Sequence, residues 1–142
     1  MKVIILFLLI SVTLSGASYA ASNKEEYDLQ ERCGKRAEEI LKPGNDNGIS
    51  EDDKQLMMTG YRNHYNRKLN KCFVLQTTTT MPKNKKESPS ILEELWDINE
   101  NKLYGRFFKV KIDNKPFECN VLGEICNSEN EWDSLVKPYM EE

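Results

Sequence analysis

One histidine, a cluster of carboxylates and four cysteines are the residues whose types could do chemistry in this chain. His64 stands in the run Tyr61-Arg62-Asn63-His64-Tyr65-Asn66-Arg67. As the sole histidine it excludes a two-histidine acid–base mechanism within one chain, and an H-E-x-x-H zinc motif is absent. A Ser-His-Asp triad would have to use it, without a G-x-S-x-G elbow to present the serine. The chemistry left to it is that of a general base in a groove lined by Tyr61 and Tyr65. Glu93, Glu94 and Asp97 surround Trp96. Two carboxyl groups about 5–10 Å apart beside an aromatic ring would suit glycoside hydrolysis. Alternation along a strand places Glu94 with Trp96 on one face and Glu93 with Asp97 on the other, and a carboxylate pair near Glu94 and Asp97 is the carrier such a hydrolase would use.

Metal and phosphate chemistry find little support. Asn45-Asp46-Asn47-Gly48 invites a calcium loop, but with Gly48 at loop position 6 the first and twelfth positions are Pro43 and Lys54, which cannot ligate as that loop requires. Zinc needs close ligand pairs, whereas Cys33, Cys72, Cys119 and Cys126 are separated by 38, 46 and 6 residues. Neither a Walker A nor a G-x-G-x-x-G sequence occurs. No catalytic residue, metal or cofactor is therefore assigned. The residues set aside for binding are Lys83, Lys85 and Lys86 in a basic loop, Asn99 and Lys102 at a hairpin tip, and Phe107, which alternation points away from Tyr104 and Phe108.

The first twenty residues explain the cysteines. Lys2 is followed by an apolar run from Val3 to Ile10, extended by Val12 and Leu14, and Ser18-Tyr19-Ala20 has the small residues of a cleavage site. This is a signal peptide pattern; the run is shorter than the roughly 20 apolar residues of a membrane span. We expect cleavage after Ala20, a single exported domain over 21–142, periplasmic or secreted, and no stable membrane span in the mature chain. Four cysteines in an oxidising compartment imply two disulfides. Of the three pairings, Cys33–Cys72 would tie a helix to a strand and Cys119–Cys126 would close a short loop around Gly123, and we expect these two.

The whole chain has 142 residues and a formal net charge of −3. That is one domain's length, too short for two cores. The mature part is polar enough for disorder to be the alternative, but its aromatics and cysteines argue for a fold. Its mild acidity gives no reason to expect nucleic acid as partner.

These residues must be held by elements. Leu29, Cys33, Ala37, Ile40 and Leu41 recur at helical spacing and predict a helix over 23–41, capped by Ser22 and Glu25 and ended by Pro43-Gly44. Met57, Tyr61, Tyr65 and Leu69 form a four-residue stripe that predicts a second helix over 51–69, with Ser50 and Asp53 at its cap and its acidic start and basic end matching the helix dipole. Strands follow at 73–80, 91–98, 103–112 and 117–121, with turns at Asn99–Lys102 and Asp113–Pro116; Ile91, Leu92 and Leu95 also suit a helical face, and the turn after them decides for a strand. Residues 81–90 read as a mobile basic loop. Tyr104, Phe108, Val110 and Ile112 are expected on one face of their strand. Ser128 and Glu131 cap a last helix that Pro138 limits. The expected fold is a small α+β domain, helices on a roughly four-stranded antiparallel sheet, in the order α-α-β-β-β-β-α. The function this supports is a non-enzymatic binding or inhibitor-type module of the cell envelope or exterior, its partner a protein or envelope polymer. A structural envelope component and a small hydrolase using His64 or a carboxylate pair are the alternatives.

Overall fold

A four-residue spacing returns to the same face of a strand as surely as to the same face of a helix, and residues 51–69 take the strand. The computed structural model describes residues 16–41 and 48–141. In it, β2 (Gln55–Asn66) and β3 (Lys71–Pro82) form one long hairpin, paired from Gln55 opposite Pro82 to Asn66 opposite Lys71. The predicted second helix is thereby corrected. Met57, Tyr61 and Tyr65 do share a face, but it is a strand's, and Leu69 falls in the hairpin turn. That turn is closed by Leu69 N donating to Asn66 Oδ1 at 2.9 Å and by Asn70 at φ 53°. The supposed cap is a turn as well. Asp52 Oδ1 accepts from Lys54 N and Gln55 N, both at 2.7 Å, which holds its carboxyl below the usual range and joins β1 (Ile49–Glu51) to β2.

The remaining strands follow as a meander: β4 (Ser90–Asp97), β5 (Lys102–Val110), β6 (Glu118–Val121) and β7 (Glu124–Ile125). All seven strands are antiparallel and lie in sequence order. The expected four-stranded sheet with three helices is therefore replaced by a mostly β domain, in which α1 (Gly16–Leu41) precedes the sheet and α2 (Glu129–Met140) follows it. Both predicted disulfides are present, Cys33–Cys72 and Cys119–Cys126. The second braces the β6–β7 hairpin, whose turn residues Leu122 and Gly123 have φ of 49° and 88°. The helix expected over 23–41 starts earlier, at Gly16, and the side chain of Ser22, the expected cap, lies outside the described residues. Residues 1–15 of the expected signal peptide and residues 45–47 of the calcium-like turn lie outside the described residues. None of the described helices is long and apolar enough to cross a membrane.

The two helices pack on opposite faces of the sheet. On one face Cys72, Val74 and Ile98 meet Cys33 and Ala37 of α1, with Leu41, Tyr65 and Trp96 at the margin. On the other, Phe73, Leu75, Leu95, Phe107, Cys119 and Val121 meet Trp132 and Val136 of α2. Ser128 caps α2 as expected, accepting from Glu131 N at 3.2 Å, while Glu131 Oε2 accepts from Asn127 N at 2.8 Å. Pro138 does not stop α2, which runs on to Met140. The α2 face needs Gly105: a Cβ there would come within 2.8 Å of Asn120 O and of Val121 Cγ2, and 3.2 Å of the Trp132 ring. Gly105→Ala is expected to cost about 1–3 kcal/mol through overpacking, read as a lower urea midpoint with unchanged m-value.

Candidate functional site

Strand parity decides which candidate residues meet. His64 pairs with Phe73 and so lies on the α2 face, whereas Tyr65 pairs with Cys72 on the α1 face, with Tyr61 on the same side. A groove around His64 lined by Tyr61 and Tyr65 does not form, because that arrangement needed a helix. Glu94 and Asp97 likewise point to opposite faces, so they cannot flank one substrate bond. Each carboxylate on the α2 face is also committed. Glu93 accepts from Trp132 Nε1 at 2.6 Å and from Thr77 Oγ1 at 3.0 Å. Asp97 is fully buried. Its Oδ2 pairs with Lys71 Nζ, and its Oδ1 accepts from Asn99 N and Glu100 N at 3.0 and 3.3 Å.

The ion pair and the aromatic cluster beside it respond to pH. Hydrogen bonds to Asp97, then Glu100, and further Tyr104, push the Lys71 ammonium above the usual lysine range. Burial first, and then the nearby Tyr104 and Glu124, push the Tyr139 phenol up. Tyr139 packs edge-on against Phe73 and Tyr104, at 5.2 and 5.7 Å between ring centres. Both groups hold their proton more tightly folded than unfolded. Their contribution is whole below about pH 10 and is lost as pH climbs through the raised values. Urea midpoints are therefore expected to hold up to about pH 10 and to fall beyond it. Lys71→Met should flatten that alkaline fall, whatever its effect at neutral pH.

The binding residues read from the sequence do not form one surface. Phe107 is 1% exposed and stacks obliquely on Trp132, with ring centres 5.7 Å apart; it is core and not a contact residue. The reason is that its face, shared with Glu93 and Cys119, packs under Trp132 of α2. A β-bulge adds Tyr104 to that face: Leu95 pairs with Gly105 but Trp96 pairs with Leu103, so Tyr104 is the extra residue and swings to the α2 face, away from Phe108. The exposed phenylalanine is instead Phe117, against Phe108. Lys83, Lys85 and Lys86 lie beyond β3, which extends through Pro82. Lys83 pairs with Glu51 at 2.8 Å, and Asn84 organises the loop by accepting from Lys86 N and donating to Glu87 Oε1. Asn99 and Lys102 lie at the other end of β4, about 25 Å away at strand rise. Lys102 Nζ sits 5.3 Å from the centre of the Tyr104 ring.

Two features remain that could take a ligand or partner. The first is the outer half of the sheet, roughly residues 55–61, 77–82, 90–93 and 108–110, which α1 and α2 leave largely open apart from Glu129 of α2 reaching Lys109 at 3.9 Å. On its α2 side the cross-strand row Ile49–Met58–Thr79–Ile91–Lys109 runs over five strands, with Leu56 and Met81 in the next row. Ile49, Met81 and Ile91 are 50%, 40% and 36% exposed. On its α1 side lie Met57, Leu92, Phe108 and Val110 with a Thr59–Thr78 hydroxyl bond of 3.1 Å. A polar row of Gln76, Glu94, Arg106 and Asn120 bounds that side. Arg106 Nε, though buried and 3.3 Å from Glu94 Oε1, is not aligned to hydrogen-bond it.

The second is a cavity of about 190 Å³ on the α1 face, where the end of α1 meets the β4–β5 hairpin. It is lined by Ile40, Leu41, Val74, Gln76, Trp96, Ile98 and Asn101. Sequence reasoning set Asn99 and Lys102 aside and passed over Asn101 between them; Trp96 was considered only as a neighbour of carboxylates. Among the described residues no cluster of His, Cys, Asp and Glu could hold a metal ion. Comparison of the chain with protein families, with curated proteins and with solved structures finds no match.

Proposed function

We propose that the chain is a non-enzymatic binding or inhibitor-type module of the cell envelope or exterior, and that it presents the outer half of its sheet to a protein partner with an acidic rim. The observation that carries this is the uncovered row Ile49–Met58–Thr79–Ile91. A largely apolar strip of this kind on a small domain marks an interaction surface, and Met58 within it and Met81 in the next row adapt to a partner's shape. The charge around it supports the sign of the rim. Residues 49–54, 81–91 and 109–117 carry seven lysines against five carboxylates, in a chain whose net charge is −3. Two disulfides suit a module working in an oxidising compartment.

The test uses the oxidised protein to capture partners from envelope extract and extracellular fluid, beside an Ile91→Lys variant. The expected result is one stoichiometric protein, bound by the wild type, weakened at least tenfold by Ile91→Lys and weakened by moderate salt. Capture that survives Ile91→Lys would overturn the placement. Binding to anionic vesicles alone, or self-association of the purified chain in light scattering, would overturn the reading in favour of a membrane or structural role.

A further inference from the structure

We infer that the cavity between the end of α1 and the β4–β5 hairpin is a binding site for a small neutral aromatic molecule carrying one or two hydrogen-bonding groups. It lies on the α1 face of the inner half of the sheet, so the inference stands apart from the partner surface proposed above. Size sets the first limit. A 150 Å³ apolar cavity in another protein holds benzene, so about 190 Å³ admits one ring with a short substituent. Shape and polarisability set the second. Trp96 provides one wall, and Val74, Ile98 and Leu41 provide the rest, a lining that favours an offset or edge-on ring over a flexible chain.

Charge sets the third limit. Among the described residues none of the lining is ionisable, so a carboxylate or ammonium placed against the apolar wall would lose part of its hydration with no counter-charge there to replace it. The polar groups are the amides of Gln76 and Asn101, and among the described residues neither side chain makes a hydrogen bond. Each offers a donor and an acceptor, which matches a phenol, an indole or a primary amide. Asn101 is presented by the hairpin turn, at φ 51°, and Gln76 by the β3 row between Tyr61 and Glu94. Ligand and protein therefore meet as in most small-molecule sites, with an apolar body and a few placed polar atoms.

The experiment titrates the full oxidised chain with benzamide, phenol and indole, and with benzoate and benzylamine as charged counterparts of like shape. Binding is followed by chemical shifts of the Trp96 indole and the Gln76 and Asn101 amides. At least one neutral probe is expected to saturate with a Kd on the order of 0.1–1 mM, and the charged probes to bind at least tenfold more weakly. Ile40→Trp, at the exposed rim, should fill the cavity and abolish binding without lowering stability. Ile91→Lys should leave it unchanged, which separates this site from the partner surface. Should Ile40→Trp unfold the chain, Gln76→Leu serves instead and should weaken benzamide several-fold. No saturable shift at about 10 mM probe, a charged probe binding as well as a neutral one, or full binding in the filled variant would each overturn the inference.

Discussion

Replacing Cys33 and Cys72 by serine is expected to cost about 4 kcal/mol of stability and to release α1 from the sheet. The bond spans 39 residues, and the stabilisation follows from the loop closure it removes from the unfolded chain. Among the described residues little else holds α1 in its place. Over residues 23–41 the buried side chains are Cys33 and Ala37, while Tyr27 and Ile40 are exposed. Burial of Ala37 and part of Leu41 contributes about 1–3 kcal/mol. Polar ties among the described residues include Gln30 Oε1 accepting from Tyr65 N at 2.7 Å, Asn63 Nδ2 donating to Cys33 Sγ at 3.9 Å and an exposed Glu26–Arg67 pair at 3.6 Å, and an exposed pair of that kind adds little. The disulfide is thus the larger part of what positions α1. Chemical denaturation should show the loss, and amide exchange over residues 23–41 should rise far more than over β3. Because Ile40 and Leu41 line the cavity, binding there should fall with α1. The matching change at Cys119 and Cys126, which closes a loop of 7 residues, is expected to cost less, about 2.5 kcal/mol. A loss under 1 kcal/mol at Cys33–Cys72, or α1 amides as protected as before, would contradict this account.

What could be read from the residues depended on whether the signal was unique to one structure. The disulfide pairing was legible because each bond joins elements the pattern already placed: Cys33 on a helical stripe, Cys72 at a strand start, and Cys119 and Cys126 across a Gly123 turn. The strand at 117–121 and the Ser128 cap were legible for the same reason, since period two, turn residues and a capping hydroxyl agree, whereas 91–98 also suited a helical face and was settled only by the turn residues at Asn99–Lys102. The stripe of Met57, Tyr61 and Tyr65 was not unique. A spacing of four is common to both periods, and acidic residues before it and basic residues after it suit hairpin turns as well as a helix dipole. Gly60, Asn63 and Asn66 disfavour a helix interior and were the available counter-signal. That single misreading moved His64 to the wrong face and removed a strand pair from the sheet. The Tyr104 bulge was not legible, since one inserted residue changes facing without changing composition. The cavity could not be read at all, because its wall joins Leu41, Val74 and Asn101, brought together only by the path of α1 over the sheet.

Asp97→Ala is expected to cost about 3–5 kcal/mol, comparable with loss of the long-range disulfide, although Asp97 looked from the sequence like a surface or catalytic carboxylate. The side chain is fully buried and does three things at once. Its Oδ2 neutralises Lys71, which is also paired with Glu100 at 2.8 Å and lies 5.6 Å from the centre of the Tyr104 ring. Its Oδ1 satisfies two amides of the β4–β5 turn. Through Lys71 it fixes the end of the β2–β3 hairpin, where buried Asn66 donates to Pro138 O at 2.8 Å and so ties the hairpin to α2. Truncation leaves two turn amides without an acceptor and takes from the half-buried Lys71 one of its two carboxylates, Glu100 remaining as the other; the lost amide hydrogen bonds and the lost ion pair make up the cost. The origin of the cost can be separated by further variants. Asp97→Asn keeps an oxygen for the turn and should lose less than Asp97→Ala. Lys71→Met combined with Asp97→Leu removes both charges and should recover much of the loss, since a buried pair is often no more stabilising than well-packed apolar side chains. Urea titrations of the set, read as midpoints at constant m-value, check the order. If Asp97→Ala proved as stable as the parent, the inner half of the sheet would owe its geometry to the aromatic cluster alone. If the double variant fell as far as Asp97→Ala, the turn amides, and not the lost Lys71 pair, would carry the cost.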